Sequence, residues 1–331
     1  MIHQYKNNGY NIVLDVNSGS VHVVDDACYD VISLYEDNSK DEIMNKLKDN
    51  YSEDVISEAY DEVKELADSE LLFTEDVYKQ YITDFKKRKT VVKALCLHIA
   101  HDCNLACKYC FAEEGEYHGR RALMSIEVGK KAIDFLIANS GNRRNLEVDF
   151  FGGEPLMNWE VVKEIVRYGR SKEKEYNKNF RFTLTTNGVL LNDEVMEFVN
   201  KEMSNVVLSL DGRKEVNDEM RPFRNGKGSY DLIVPKFQKL ADSRNQTNYY
   251  VRGTFTHNNL DFSNDVIHFA DLGFKQMSIE PVVGEDDEKY AIKEKDLPVI
   301  MEEYDKLAKE FIKRKKEGNG FNFFHFMIDL E

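Results

Sequence analysis

Three of the chain's five cysteines fall within eight residues, in the stretch HIAHDCNLACKYCFAEEGEYHG that runs from His98 to Gly119. They are Cys103, Cys107 and Cys110, spaced CxxxCxxC. The thiol count is odd and the polar start, MIHQYKNNGY, is no signal peptide, so clustered thiols point to a metal or to catalysis rather than to disulfides. A cluster of four irons takes four thiolates. Three leave one iron open to a small ligand, by the logic that keeps one position free at a catalytic zinc. The alternative is a closed zinc site with His101 or His118 as fourth ligand. Asp102, Asn104 and Lys108 make the loop too polar for inert, buried thiols. Cys28 opens an apolar helix and Cys96 sits inside a strand, so both read as core residues.

Further polar motifs follow at short intervals. In DFFGGEP (Asp149–Pro155), Gly152 and Gly153 let a ligand approach the backbone, Glu154 offers a carboxylate to an ammonium group, and Pro155 stops the strand. TTNG (Thr185–Gly188) and SLDG (Ser209–Gly212) end the next two strands. Asn187 and Asp211 suit ribose hydroxyls, while Ser209 and Arg221 suit a carboxylate, the arginine by bidentate pairing. Each motif alone is explained by turn chemistry. Together they supply an open iron, an ammonium acceptor, carboxylate donors and ribose partners, and S-adenosylmethionine (SAM) needs all four.

Such groups must be brought to one place. From Ala94 onward, short apolar strands (LCLHIA, LEVDFF, FRFTLTT, NVVLSL, NYYVRGTFT, KQMSIEP) alternate with amphipathic helices such as SIEVGKKAIDFLIAN and WEVVKEIVRYGRSKEKEY. Six β/α units imply a parallel sheet with right-handed crossovers. The motifs fall at the C-terminal ends of consecutive strands, where barrels carry active sites, so a curved, partly closed barrel is expected over residues 94–320. Residues 1–84 form a separate α+β unit. YNIVLDVNSGSVHVVDD reads as a hairpin turning at Asn17–Gly19, followed by helices over Ala27–Tyr35, Lys40–Asn50 and Ser52–Ser69, with Asn38 or Ser39 capping the second. That order is winged-helix-like. Residues 85–93 are a basic linker, and 321–331 begin a C-terminal extension.

The net charge of −15 is concentrated at the front: through Asp84 there are 20 acidic against 6 basic residues. So acidic a unit disfavours nucleic acid. No apolar run reaches membrane-spanning length, so no membrane is expected, and the thiol usage points to the cytoplasm.

With these motifs the chain resembles a radical SAM enzyme, over about Ala94 to Phe321. The resemblance implies a [4Fe–4S] cluster on Cys103, Cys107 and Cys110, with the amino and carboxyl groups of SAM on the fourth iron. One-electron cleavage of SAM then gives a 5′-deoxyadenosyl radical that abstracts hydrogen from substrate. By the same resemblance Gly153 and Glu154 hold the SAM amino end, Ser209 and Arg221 contact SAM, Tyr109 and Val283 in EPVVGED frame the adenine, and Arg252 is a further carboxylate partner. DCNLACKYCFAEEGEYHG with DFFGGEPLMNW, TTNGVLL and SLDGRKEVND resembles the peptide maturases with a SPASM extension, in particular the SCIFF type that builds thioether cross-links in a Cys-rich ribosomal precursor peptide. Residues 1–84 then resemble a RiPP recognition element. This would take the precursor's leader onto the strand edge of SVHVVDD, walled by helix Ser52–Ser69. The electron would come from a flavodoxin or ferredoxin. Members of this subgroup hold auxiliary [4Fe–4S] clusters on later cysteines. Here no cysteine follows Cys110, so the chain as written cannot bind them, and the closing FFHFMIDLE reads as cut mid-element. The alternatives are a sulfatase- or quinone-cofactor-maturing enzyme on the same scaffold, or a zinc-binding regulatory protein with a winged-helix module.

Overall fold

The computed structural model describes residues 1–81, 90–285 and 287–327. Most of the linker, residues 85–89, and the last four residues of the C-terminal extension lie outside the described residues. The described residues fall into two compact units, 1–81 and 90–327.

The first unit opens with a strand, β1 (Ile2–Asn7), that the polar composition of the N-terminus concealed. It pairs antiparallel with β2 (Tyr10–Asp15), which pairs with β3 (Val21–Val24), so the expected hairpin is the second half of a three-stranded meander. Helices α1 (Asp26–Tyr35), α2 (Lys40–Leu47) and α3 (Glu53–Asp68) follow. Asp25 caps α1 by accepting from the Cys28 N–H. Ser39, not Asn38, caps α2 in a reciprocal box with Glu42. Ser52 stands at the N-cap of α3 but makes no side-chain cap bond there. Val13, Val31, Ile43, Ile56 and Val63 form a core of their own, enough to give the unit an independent apolar centre.

The second unit is the expected α/β barrel fragment. Six strands run parallel and adjacent in chain order: β4 (Ala94–His101), β6 (Asn145–Gly152), β7 (Asn179–Thr186), β8 (Met203–Ser209), β9 (Tyr249–Phe255) and β10 (Gln276–Pro281). Short β5 (Ala122–Leu123) covers one edge antiparallel to β4, and β11 (Asn322–Phe323) extends the other beside β10. Among the described residues no ladder joins the two edges, so the barrel is partial. Helices α4 (Ile126–Asn139), α5 (Trp159–Tyr176), α6 (Asp193–Glu202), α7 (Lys214–Met220), α8 (Tyr230–Ser243), α9 (Ser263–Asp271) and α10 (Leu297–Lys316) complete the unit.

Alternation along the strands separates the two faces of the sheet. In β6, Leu146, Val148 and Phe150 are fully buried while Glu147, Asp149 and Phe151 are not. One face therefore packs on helices and the other lines a polar interior. Cys96 obeys the same rule and corrects the expectation of a core thiol. It alternates with buried Leu97 and Ile99, pairs in register with Asp149, and is exposed. Cys28 is buried as expected. No helix among the described residues is long and apolar enough to cross a membrane.

Candidate functional site

The thiol loop leaves the C-terminal end of β4 and is held in place by the segment after α7. Ala106 N–H donates to the Pro222 carbonyl and Lys108 N–H to the Met220 carbonyl, both at 2.9 Å. Arg224 reaches across to the Cys103 carbonyl with Nη2 at 2.7 Å and Nε at 3.1 Å. The three thiols end up around one cavity at the mouth of the barrel. Leu105 N–H and the Asn187 amide point at the Cys103 sulfur, at 3.5 and 3.6 Å. Burial pushes the Cys103 thiol up to about 12 and raises Cys107 as well, with Arg221 opposing both shifts. A metal bound here would supply the positive charge that thiolates in so buried a place need, and its loading would release protons.

Gly152, Gly153 and Glu154 line the same cavity, but the glycines are there for the chain's own backbone. A Cβ on Gly153 would sit 2.1 Å from the Asp102 carbonyl oxygen, and one on Gly152, whose φ is +125°, would sit 2.5 Å from that of Ala100. The end of β6 is thus pressed against the root of the thiol loop, and Glu154 N–H donates to the Asp102 carbonyl at 2.9 Å. The Glu154 carboxylate is fully buried. Its Oε1 accepts from Leu156 N–H at 3.0 Å and from the Thr186 hydroxyl at 2.8 Å, and its Oε2 accepts from Asn187 N–H at 2.8 Å. A carboxylate has about four acceptor positions, so one on Oε2 is left over for a ligand. Burial raises the Glu154 carboxyl despite these donors, and a cationic ligand would counter the shift.

Ser209, Tyr109 and Arg221 also line the cavity. Arg221 Nη1 donates to the Tyr109 hydroxyl at 2.8 Å, while its Nε is buried without a partner. Buried guanidinium donors are almost always satisfied, so an orphan Nε at a cavity wall calls for an acceptor from a ligand.

Four of the sequence-predicted residues stand differently from expectation. Asp211 is fully buried and does not line the cavity. Its Oδ2 accepts from the Tyr109 hydroxyl and its Oδ1 from Thr254 N–H, so it is engaged by the protein rather than presented to a ribose. Asn187 lines the cavity, but its amide donates to Asn104 Oδ1 at 2.7 Å and its carbonyl oxygen accepts from Val189 N–H at 3.0 Å. Arg252 faces the barrel interior beside Ser209 in register, and its side chain, 56% exposed, meets Glu280 at 3.9 Å rather than the cavity. Val283 is 89% exposed and outside the cavity. Sequence reasoning missed Phe151, Thr186 and Arg224. Thr186 was in view within TTNG, but nothing local marks Arg224 as the clasp of the thiol loop.

The donor set can be tested against the two metals. Among the described residues no three His, Cys, Asp or Glu side chains converge as one ion requires, and His118 is 74% exposed and paired to Glu113. That is a poor zinc site, which needs four ligands about one point. A cubane differs, because each thiolate takes its own iron. Three thiols spread around one cavity, beside an orphan Arg221 Nε and a Glu154 oxygen with acceptor capacity to spare, fit a cluster with an amino-acid-bearing ligand.

Comparison with known proteins agrees with this geometry. Residues 97–261 match the model of the radical SAM superfamily, and through this segment the chain is a member of that superfamily. It is 26% identical over 193 residues to the radical SAM cyclopropyl synthase TigE of Paramaledivibacter caminithermalis, covering 54% of this chain and 39% of TigE. In fold it is similar to anSMEcpe, solved with AdoMet and Cp18Cys peptide, with a TM-score of 0.62 and 20% identity over 72% of this chain and 64% of that one. SuiB of Streptococcus suis, solved with its precursor peptide SuiA, gives a TM-score of 0.53 and 14% identity over 95% of this chain and 68% of that one. The chain spans less than two thirds of the length of the curated relatives it matches.

Proposed function

We propose that the chain is the SAM-binding and leader-binding part of a radical SAM peptide maturase, acting on a Cys-rich ribosomal precursor to form an intramolecular thioether. The observation that carries the SAM reading is the single cavity shared by three spread thiols, the buried Glu154 carboxylate and the unpartnered Arg221 Nε. Cys103, Cys107 and Cys110 would hold the cluster, Glu154 the ammonium of SAM, and Arg221 with Ser209 its carboxylate. Bound there, the cluster and SAM supply one-electron chemistry that ends in hydrogen abstraction from substrate. The residues of the chain orient the amino-acid end: Thr186, Asn187 and Leu156 fix the Glu154 carboxylate by three donors, so it is preorganised rather than recruited.

A peptide substrate is supported by relatives whose names concern peptides or sulfatase maturation, and by the separate acidic unit ahead of the barrel. That unit would receive the leader along the edge of β3, which no strand pairs with among the described residues, with α3 as the wall of the groove. A flavodoxin or ferredoxin would supply the electron. The test is anaerobic reconstitution. The loaded protein with dithionite and SAM should release 5′-deoxyadenosine, and a cross-linked peptide would be lighter by two hydrogens per thioether. The Cys107→Ala variant should lose its brown colour and iron, because two thiolates cannot hold the cubane. Full iron content and unchanged 5′-deoxyadenosine release by that variant would reject the ligand assignment.

A further inference from the structure

The Asp211 carboxylate lies behind the cavity wall rather than in it. Its Oδ2 accepts from the Tyr109 hydroxyl at 2.6 Å and its Oδ1 from Thr254 N–H at 3.1 Å. The same Tyr109 oxygen accepts from Arg221 Nη1 at 2.8 Å, and Nη1 is 3.8 Å from Asp211 Oδ1. A phenol thus bridges a buried cation and a buried anion, taking one hydrogen bond and giving the other. The side chains of Asp211 and Arg221 are 1% and 11% exposed. A guanidinium that deep needs a counter-charge, and Asp211 is the anion whose contacts with it are direct and through Tyr109. With Nη1 fixed in this way, the orphan Nε edge of Arg221 is the part of the guanidinium left for the cavity.

We infer that Asp211 is a positioning residue. It touches no ligand, but through Tyr109 it sets Arg221 so that the Nε edge receives the carboxylate of an amino-acid-bearing ligand, and it ties the thiol loop to the end of β8. This rests on the SAM reading above and adds to it a division of labour: the SLDG aspartate serves the amino-acid end of the ligand and not its ribose. Asparagine cannot replace it. Whichever way an amide is turned, its NH2 faces either Thr254 N–H, which must donate, or the Tyr109 hydroxyl, which then has lost its acceptor, and the charge facing Arg221 is gone.

The experiment compares two ligands on the full chain with its cluster reconstituted. SAM carries the amino-acid end, and 5′-methylthioadenosine carries the same nucleoside without it. For Asp211→Asn, affinity for SAM should fall by about tenfold or more, while that for 5′-methylthioadenosine stays within about twofold of the unaltered protein, as expected when a charge-assisted contact is lost at one end only. Tyr109→Phe keeps the ring and the carboxylate but removes the bridge, and should show the same SAM-selective loss. Equal weakening of both ligands by Asp211→Asn would place Asp211 against the nucleoside and overturn the inference. So would a Tyr109→Phe protein that binds SAM like the unaltered chain, and this second variant decides the matter if Asp211→Asn melts out at low temperature. Failure of the unaltered, iron-loaded protein to bind SAM at all is a different result, and would sink the cofactor reading itself.

Discussion

Glu154 shows how far a residue's role can be read from its type and neighbours. A carboxylate after two glycines at a strand end suits an ammonium group, and Glu154 lines the cavity. What the motif did not show is that three of its four acceptor positions are filled by Leu156, Thr186 and Asn187. In Glu154→Gln the new NH2 must face a donor, and the negative charge is removed. Loss of a charge-assisted hydrogen bond costs about 1.5–3 kcal/mol, so SAM affinity should drop roughly tenfold to a hundredfold, as read by calorimetry. An unchanged dissociation constant would remove Glu154 from the SAM site. Asp211 and Asn187 teach the converse. Short polar side chains in turns suit ribose hydroxyls, yet Asp211 is buried away from the cavity and Asn187 is hydrogen-bonded to Asn104 and Val189, and sequence alone does not say which partners a side chain has already found.

At the level of elements, strand and helix positions were legible because apolar alternation and capping are local signals. β1 was not, since its exposed side carries Tyr5 and its inner side carries Gln4, which donates to the Tyr29 carbonyl rather than packing. A comparable hidden joint closes the first unit. Asp15 at the end of β2 is fully buried and accepts from Thr74 N–H at 2.9 Å, from the Thr74 hydroxyl at 3.0 Å and from Asn17 N–H at 2.9 Å. Burial alone would raise its carboxyl, but these donors outweigh it and hold the group below its usual range. A depressed carboxyl stabilises the fold above its unfolded pKa, and that contribution fades as pH falls through the folded value. Asp15→Ala should therefore cost the first unit about 2 kcal/mol at neutral pH, and the deficit should shrink below about pH 4. The sole tryptophan, Trp159, lies in α5 of the barrel. A urea transition that moves in circular dichroism while tryptophan fluorescence stays put would report this unit. A variant as stable as the unaltered chain at pH 7 would show the Asp15 joint to be idle.

On the scale of the whole chain, charge is the informative property. The first 84 residues carry 20 acidic and 6 basic side chains, so most of the acids have no basic residue of the segment to pair with, even though pairs such as Lys6–Asp26 and Lys40–Asp61 form. The edge of β3, unpaired among the described residues, suits an extended peptide, and the acidic field around it repels a phosphate backbone. The segment 1–84 on its own should bind the precursor's leader in fluorescence anisotropy and show no DNA binding at physiological salt. Tight DNA binding by that segment would overturn the leader-binding proposal, and would leave the barrel chemistry untouched.

The sequence by itself determined the three clustered thiols and their spacing, the order of the strands and the edge of the sheet on which the motifs collect. Those properties follow from spacing, period and strand direction, which are local, and from the single handedness open to β/α crossovers. Tertiary structure decided which polar groups remain available. It placed Val283 in solvent, gave Arg252 to Glu280, turned Cys96 to the polar face of β4 and set Arg224 across the thiol loop. It also gave the glycines of GGEP their reason, the contact of two backbones rather than of backbone and ligand. Availability depends on partners more than a hundred residues away, as when Tyr109 meets Asp211 and Arg221. A buried polar group is used by whichever donor or acceptor the fold brings to it first, and that is settled by packing rather than by the motif in which the residue sits.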